Sequence, residues 1–208
     1  MFGGNFQTWK LHSTQDYLMF FAYILAGVLV FWLIAKHMNK QRNHEKAVEK
    51  VSGRLKKICG KPGEVLKNAT LNLPEGKMTF DAVLMDKRGV YLVRTYGWGI
   101  KIYGTPDGAM WRREDAKRKE EFENPLLELK KGAAEITKVM EENGVQNLKV
   151  MPMVVFADNF QTPELYLGYG SFSTTYQELK NWYKKQSGVK EAQYDYDKVS
   201  SIIKGLAK

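Results

Sequence analysis

Cysteine and histidine are scarce in this chain of 208 residues, and their scarcity excludes several classes of protein. The one cysteine, Cys59, cannot form an intramolecular disulfide, which excludes a disulfide-stabilised secreted module and any zinc site that needs two thiolates. The three histidines are His12, His37 and His44, so we expect no pair of catalytic histidines in the main part of the chain. The sequence also has no P-loop, no dinucleotide-binding glycine pattern and no nucleophile elbow. We expect a domain in a reducing compartment whose chemistry, if it has any, depends on carboxylates and bases.

A run of nineteen uncharged residues lies near the start of the chain, with the sequence YLMFFAYILAGVLVFWLIA from Tyr17 to Ala35. A helix of this length extends about 28 Å, which is close to the hydrocarbon thickness of a bilayer. A buried core helix is the alternative, but a helix whose only polar side chains are two tyrosines is more typical of a membrane segment. We therefore predict one membrane-spanning helix at residues 17–35.

The numbers of Lys and Arg residues on the two sides of this segment differ sharply. Lys10 precedes the segment, and eight cations follow it up to residue 57: Lys36, Lys40, Arg42, Lys46, Lys50, Arg54, Lys56 and Lys57. Positively charged flanks stay inside, so the sequence predicts a single-pass protein of the cell membrane with its N-terminus outside. A cleaved signal peptide fits poorly, because its positive charge precedes the apolar run. The predicted organisation is an extracytoplasmic tail (1–16), a transmembrane helix (17–35), a basic neck with the first helix (36–62) and a cytoplasmic domain with a C-terminal helical extension (63–208).

The rest of the chain alternates between helical and extended patterns, as is typical of a mixed α/β (α+β) domain. Its overall composition, 44 % hydrophobic and 26 % charged, suits a folded domain. The predicted strands, of which the first five form an antiparallel meander, are 64–73, 79–85, 90–96, 100–104, 109–113, 148–157 and a short one near 165–169. The predicted helices are 40–58, 124–143, 175–187 and 196–206. The charged segment 113–123 is predicted to be a solvated loop or the entry to a helix, and Pro152 indicates an edge or a bulge in its strand.

Four stretches of the sequence resemble the nuclease-related domain (NERD) family. They are FDAVLMDKRGVYLVRTYGWGIKIYG at 80–104, Trp111, NPLLELKK at 124–131 and VMPMVVFAD at 150–158. Together with the helix before them, these stretches cover most of residues 44–158. The resemblance implies a restriction-endonuclease-like fold, in which a mixed sheet is flanked by helices. It also implies the activity of that fold, which is metal-dependent cleavage of phosphodiester bonds.

The resemblance implies where the catalytic residues of the fold would lie. Family members resemble one another in an Asp on one strand and a Glu-x-Lys on the next, where the carboxylates hold Mg²⁺ and the Lys orients the attacking water. The two-residue spacing places the Glu and the Lys on one face of their strand. Asp81 matches the family's Asp, but thirteen residues later the chain has Arg94-Thr95-Tyr96 in place of Glu-x-Lys.

Arg94 and Tyr96 change the chemistry expected of this site. Arg94 replaces a metal ligand with a permanent cation, and at about 4 Å with an effective dielectric constant of about 20 it would repel a divalent ion by about 8 kcal/mol. Tyr96 removes the positive charge that Lys would place near the water. Glu128 departs from the family too, because Gln is common at that position. Asp81 alone does not make a catalytic site, and an ion pair with Arg94 across the two strands is its alternative role.

A nuclease site with displaced ligands is the alternative to a lost site. Glu45 and Glu49, on the first predicted helix, could complete a metal site with Asp81, and Mg²⁺ is the cofactor expected in that case. Other charged groups of the domain could also contribute to such a site, although each is typical of a solvated surface: Asp86, Lys87, Lys101 and the acidic segment 120–123. Without displaced ligands, no cofactor is expected.

Three functions from different classes are compatible with the sequence. The first, which we favour, is a catalytically degenerate domain that acts as a binding or assembly module at the membrane. Arg94, Tyr96 and Lys101 are its candidate binding residues, because a cation can contact phosphate and an aromatic ring can stack on a base. The second is an active Mg²⁺-dependent nuclease with displaced ligands. The third is a structural subunit of an envelope complex, with an aromatic docking surface made of Tyr176, Trp182, Tyr183, Tyr194 and Tyr196.

The net charge of +9 gives limited support to nucleic-acid binding. It results from 32 Lys and Arg against 23 Asp and Glu, and the eight cations between residues 36 and 57, offset by Glu45 and Glu49, supply +6 of it. The rest of the chain is therefore nearly neutral, whereas nucleic-acid-binding domains are strongly basic. We expect a protein partner, with nucleic acid as the alternative, and no small-molecule substrate is indicated.

Overall fold

The computed structural model describes residues 14–41, 43–97, 100–115, 118–157, 162–185 and 194–207. The chain divides into two compact units, residues 1–40 and residues 41–208. The described part of the first unit lies in one helix, α1 (Thr14–Gln41). Its segment Thr14–Lys36 is long and apolar enough to cross a membrane. The helix expected at 17–35 is therefore present, while most of the predicted tail at 1–16 lies outside the described residues.

The second unit contains four helices and nine strands in its described residues. The helices are α2 (His44–Cys59), α3 (Pro125–Glu142), α4 (Leu179–Lys185) and α5 (Tyr196–Leu206). The strands are β1 (Glu64–Leu73), β2 (Gly76–Asp86), β3 (Gly89–Tyr96), β4 (Lys101–Gly104), β5 (Met110–Glu114), β6 (Lys119–Glu123), β7 (Val150–Phe156), β8 (Glu164–Leu167) and β9 (Ser173–Thr175). The unit is therefore a mixed α+β domain, as the sequence predicts.

A five-stranded sheet in the order β1-β2-β3-β7-β9 lies at the centre of this unit. The β1–β2 and β2–β3 pairs are antiparallel, and the β3–β7 and β7–β9 pairs are parallel. On one side, which we call the α3 face, Leu92 packs in an apolar cluster with Leu129 of α3. On the other side, the α2 face, Tyr91 packs in a second cluster with Leu55 of α2 and Leu179 of α4. Because both faces are covered, β3 is a nearly continuous apolar run rather than an alternating one.

A second sheet, in the order β6-β5-β4-β8, adds Ile102 and Trp111 to the apolar cluster of the α3 face. The predicted meander is therefore divided between two sheets, because β3 pairs with β7 along the edge that β4 would have used. The segment 113–123, predicted to be a loop or a helix entry, contains strand β6 instead. Phe122 accounts for this difference, since its ring contacts the rings of Trp111 and Tyr96 and holds the segment against the core.

Side-chain caps begin the helices close to where the sequence predicts them. Asn43 and Asn124 cap α2 and α3, and each accepts a hydrogen bond from the backbone N–H two residues later. The helix predicted at 175–187 is the exception, because it begins only at Leu179. The residues before it, Ser173–Thr175, extend the central sheet as β9, and positions 186–187 lie outside the described residues.

Pro152 lies in β7, which has a neighbouring strand on each side. The backbone N–H of Val154 donates to Phe172 on the β9 side, so the nitrogen of Pro152, two residues earlier, faces that side too. Since β9 pairs with β7 only from Val154 onward, the sheet needs no donor at position 152. The predicted edge character of Pro152 is thus confined to one end of a central strand.

Gly89 offers a test of the contact between β3 and the start of β7. Its φ is +148°, and a Cβ added there would overlap the backbone carbonyl oxygen of Lys149, which accepts a hydrogen bond from Val90 N–H. Gly76 also has a positive φ, but no atom of the described residues lies within 4 Å of an added Cβ. We expect Gly89→Ala to lower the free energy of unfolding by about 1–3 kcal/mol more than Gly76→Ala.

Urea unfolding of the full chain in detergent micelles, followed by near-ultraviolet circular dichroism, measures both variants. Equal losses of stability at Gly89 and Gly76 would contradict the close contact with Lys149.

Candidate functional site

Asp81 and Arg94 lie opposite each other on the neighbouring strands β2 and β3. The register pairs Ala82 with Val93, so Asp81 and Arg94 are the next residues along the two strands. Asp81 is only 5 % exposed, and its Oδ1 lies 3.7 Å from Arg94 Nη1. Its Oδ2 accepts a hydrogen bond of 2.6 Å from the backbone N–H of Thr95. The ion pair predicted across the two strands is confirmed.

His44, the first residue of α2, contacts the same carboxylate. Its Nε2 lies 3.3 Å from Asp81 Oδ1, and 59 % of its side chain remains exposed. Asn43 fixes the start of the helix by accepting a hydrogen bond of 2.9 Å from Glu45 N–H, and α2 packs on the sheet through Ala47 and Val51. His44 is not among the site residues that the sequence predicts. No local signal in the sequence identifies this contact, because it depends on how α2 packs against the sheet.

Glu128, in the first turn of α3, binds the other side of the Arg94 guanidinium. Arg94 Nη2 donates a hydrogen bond of 2.7 Å to Glu128 Oε2. The start of α3 is fixed by Asn124, whose amide donates to the backbone carbonyls of Thr105, Pro106 and Gly108. The guanidinium therefore lies between two carboxylates, one nearly buried and one half-exposed. The departure from the family's Gln at position 128 gives Arg94 its second carboxylate.

Tyr96 lies on the same face of β3 as Arg94 but packs against the apolar cluster of the α3 face. Its ring centroid is 5.2 Å from that of Phe122 and 5.6 Å from that of Phe156. Burial raises the pKa of the Tyr96 phenol above its ordinary value, while the neighbouring Arg94 opposes the rise. The ring is therefore engaged in packing rather than presented for stacking on a base.

The other residues proposed as ligands or contacts lie on different elements from Asp81. Glu45 and Glu49 are exposed on α2. Lys101 lies on the second sheet, where its Nζ is 3.8 Å from Glu164 Oε2. Within the described part of the chain, no group of three or more His, Cys, Asp and Glu side chains is arranged to hold a metal ion.

The remaining acidic and aromatic candidates have structural partners. Asp86, at the far end of β2, accepts hydrogen bonds from the Tyr183 hydroxyl and from Arg88 N–H. In the acidic segment 120–123, Glu120 forms an ion pair of 2.8 Å with Arg113. The five aromatic residues suggested as a docking surface all pack against the two apolar clusters of the central sheet: Tyr176, Trp182, Tyr183, Tyr194 and Tyr196.

A divalent metal ion, which the family resemblance implies, does not fit the side chains around Asp81. Mg²⁺ requires several oxygen ligands in near-octahedral geometry. Here Oδ2 of Asp81 is bonded to Thr95 N–H, and Oδ1 faces both Arg94 and His44. The guanidinium stands where the motif would supply a second carboxylate, and a guanidinium has only donors and cannot coordinate a metal ion. The arrangement suits internal charge compensation, in which Asp81 and Glu128 share Arg94.

Comparison with known proteins finds a family match over more than half of the chain. The profile of the family described as "Nuclease-related domain" (NERD) matches residues 40–157, which include α2, α3 and the strands from β1 to β7. An uncharacterized protein of Bacillus anthracis is 32 % identical over 113 residues, which make up 52 % of each of the two chains. The chain therefore spans about half the length of that relative. No solved structure matches the chain.

Asp81 and Glu128 should differ strongly in their contribution to stability. We expect Asp81→Ala to lower the free energy of unfolding by about 2–4 kcal/mol, because it leaves Thr95 N–H without its acceptor and removes the buried partner of Arg94. Glu128→Gln should cost less than about 1 kcal/mol, because its side chain is half-exposed and solvent screens the pair.

Urea unfolding of the full chain in detergent micelles measures both variants, with Asp81→Asn as the matched control that keeps the shape of the side chain. A loss for Glu128→Gln as large as that for Asp81→Ala would contradict this assignment of the buried partner.

Proposed function

The chain belongs to the nuclease-related domain family, and we propose that it is a member that does not cleave phosphodiester bonds and acts instead as a binding module at the membrane. In this proposal α1 spans the cell membrane, and residues 41–208 hold a protein partner in the cytoplasm. The eight cations between residues 36 and 57, after the apolar segment, against Lys10 before it, support the cytoplasmic orientation.

The position of the Arg94 guanidinium is the observation that carries the proposal. It lies 3.7 Å from Asp81 and 2.7 Å from Glu128, in the region where this fold is expected to hold its metal ion. A guanidinium supplies positive charge to the two carboxylates, but it cannot coordinate a water molecule or lower the pKa of one as a metal does. Tyr96, packed against Phe122 and Phe156, supplies no cation in place of the motif's Lys. Charge compensation without cleavage is the role that these contacts support.

The outer face of the second sheet, which we define by Tyr103, Met110, Arg112 and Tyr166, supports a protein as the partner. The rings of Tyr103 and Tyr166 stack there at 4.8 Å, and the Arg112 guanidinium lies 4.9 Å from the Tyr103 ring. Tyr166 and Met110 are 51 % and 48 % exposed, although both are large and apolar. Tyr, Met and Arg are the residue types enriched at the centres of protein interfaces.

Carboxylates on the same outer face make nucleic acid the weaker alternative. Glu114 lies 3.2 Å from Arg112, and Glu164 lies 3.8 Å from Lys101, so both cations are already compensated. Glu121 on β6 is exposed beside them. A phosphate backbone on this face would meet as many negative as positive groups, whereas nucleic-acid binding depends on an excess of cations.

Cleavage of DNA and RNA by the full chain in detergent micelles, with Mg²⁺ or Mn²⁺, tests the loss of activity. We expect no cleavage by the wild type or by Asp81→Ala, because Arg94 blocks the approach of a metal to Asp81. Metal-dependent cleavage that Asp81→Ala abolishes would sink the proposal and would mean that the metal ligands have moved.

Arg94→Glu tests the same site from the opposite direction. We expect it to lower the free energy of unfolding by about 2–4 kcal/mol without metal, because it leaves three carboxylates together. Mn²⁺ should raise the melting temperature of this variant but not that of the wild type. Arg94→Gln is the matched control, since it removes the cation without adding a carboxylate. Equal stabilisation of the wild type and Arg94→Glu by Mn²⁺ would contradict the compensating role of Arg94.

Photo-crosslinking in living cells tests the partner. A photoreactive amino acid in place of Tyr166 should give a discrete crosslinked protein that nuclease digestion leaves unchanged, and Arg112→Glu should remove the product, because Arg112 belongs to the same face. The same amino acid in place of the exposed Lys138 on α3 is the control, and it should give no such product. A crosslinked band that nuclease removes would assign nucleic acid to this face, and equal products from positions 166 and 138 would overturn the assignment of the surface.

A further inference from the structure

Positive charge is concentrated on one side of the central sheet. On the α2 face, α2 carries five cations against two carboxylates, and α4 carries three cations and no carboxylate. On the α3 face, α3 carries three cations against four carboxylates, and α5 carries two cations against one carboxylate. The helices that cover the two sides of the same sheet therefore differ in charge, even though most of the unit is nearly neutral.

The cations of α2 are also sorted around the helix itself. Lys46, Lys50, Arg54 and Lys57 recur at spacings of four, four and three residues, which places them along one ridge of an α-helix. Ala47, Val51 and Leu55 are buried against the sheet, so this ridge faces away from the core. The two carboxylates of the helix, Glu45 and Glu49, fall on its other flank at 100° per residue, so they do not interrupt the basic ridge.

The basic ridge is held beside α4. Lys50 Nζ lies 4.8 Å from the ring of Tyr176, and the Arg54 guanidinium lies 4.5 Å from the same ring. Arg54 also donates a hydrogen bond of 3.3 Å to the backbone carbonyl of Gln177. These contacts join the ridge to the turn that leads into α4, whose exposed Lys180, Lys184 and Lys185 extend the same positive surface.

We infer that this surface docks on the anionic headgroups of the membrane. We call it the basic helix face and define it by Lys46, Lys50, Arg54, Lys57, Lys180, Lys184 and Lys185. The inference rests on the proposed function, in which α1 spans the bilayer. Ala35, the last residue of the uncharged run, precedes His44 by nine residues, which reach at most about 32 Å even when fully extended. The start of α2 is thus always within this distance of the bilayer, where lysines are attracted to anionic lipids.

The chemistry of the basic helix face favours a lipid surface over a nucleic acid. Six of its seven cations are lysines, which act as flexible point charges and suit a laterally mobile layer of headgroups. Its one arginine, Arg54, is already engaged by Tyr176 and the Gln177 carbonyl, so it is not presented for two-pronged recognition of phosphate or bases. Docking of this face would leave the outer face of the second sheet, on the other side of the central sheet, open to a partner.

Resonance energy transfer in vesicles tests the docking with the full chain. A donor dye is attached to Asn181→Cys on α4, or to Glu141→Cys on α3, each in a Cys59→Ser background, and acceptor dyes label the lipid headgroups. We expect transfer from position 181 to rise when phosphatidylglycerol is added to phosphatidylcholine vesicles, and the rise at position 141 to be smaller. The rise should disappear between about 0.1 M and about 1 M salt, because the Debye length falls from about 10 Å to about 3 Å.

The matched charge variants are Lys46→Gln, Lys57→Gln and Lys180→Gln together, and Lys130→Gln, Lys131→Gln and Lys138→Gln together on α3. The first set should abolish the rise at position 181, and the second set, which removes the same charge from the other face, should not. Transfer that is insensitive to phosphatidylglycerol would overturn the inference. The inference would also be overturned if the first set of variants lost affinity for a single-stranded oligonucleotide but still docked on vesicles as the wild type does.

Flotation with pure phosphatidylcholine vesicles separates this inference from the proposed function. A chain that inserts through α1 floats with neutral vesicles whether or not the basic helix face docks. Failure to float would overturn the membrane part of the proposed function, whereas flotation without a lipid-dependent change at position 181 would overturn only the docking.

Discussion

The negative charge of Asp81 is the constraint on which the arrangement of the second unit depends. A carboxylate that is only 5 % exposed stays charged at an acceptable free energy only if hydrogen bonds and opposite charge compensate for the lost water. The compensation comes from Thr95 and Arg94 on β3 and from His44 at the start of α2. Glu128, at the start of α3, accepts a hydrogen bond from the same Arg94 guanidinium. Two central strands and the helices on both faces of the sheet thus converge on one buried group.

Contacts between residues close in sequence could be predicted, whereas contacts that depend on distant residues could not. The Asp81–Arg94 pair followed from a tight hairpin between two strongly apolar strands, because such a turn fixes the register. The cap of α3 at Asn124 is also a contact between residues close in sequence. The division of the meander was not predictable, because it depends on β7, which takes the free edge of β3 from far along the chain. The contact of His44 with Asp81 likewise requires the packing of α2 across the sheet, which no local pattern encodes.

The two sides of the central sheet carry different kinds of exposed surface. The side covered by α2 and α4 carries the excess of cations, and the side covered by α3 and the second sheet carries exposed Tyr166 and Met110. Under the proposals made above, one side attaches to lipid and the other holds a protein. In these proposals the charged group at Asp81 joins the helix layers on the two sides of the sheet through His44 of α2 and, by way of Arg94, Glu128 of α3.

Stability alone would favour a chain that keeps Asp81 and has Arg94 at the position of the Glu in the family's Glu-x-Lys motif. Clustered carboxylates repel one another until a metal binds, so a metal-dependent site lowers the stability of the empty fold. Arg94 removes that repulsion and adds two ion pairs, with Asp81 and Glu128. Asp81 itself is harder to replace, because Thr95 N–H, on a residue only 1 % exposed, would lose its acceptor. A domain under no demand for cleavage would therefore change its Glu-x-Lys residues before its Asp, which is the combination found in this chain.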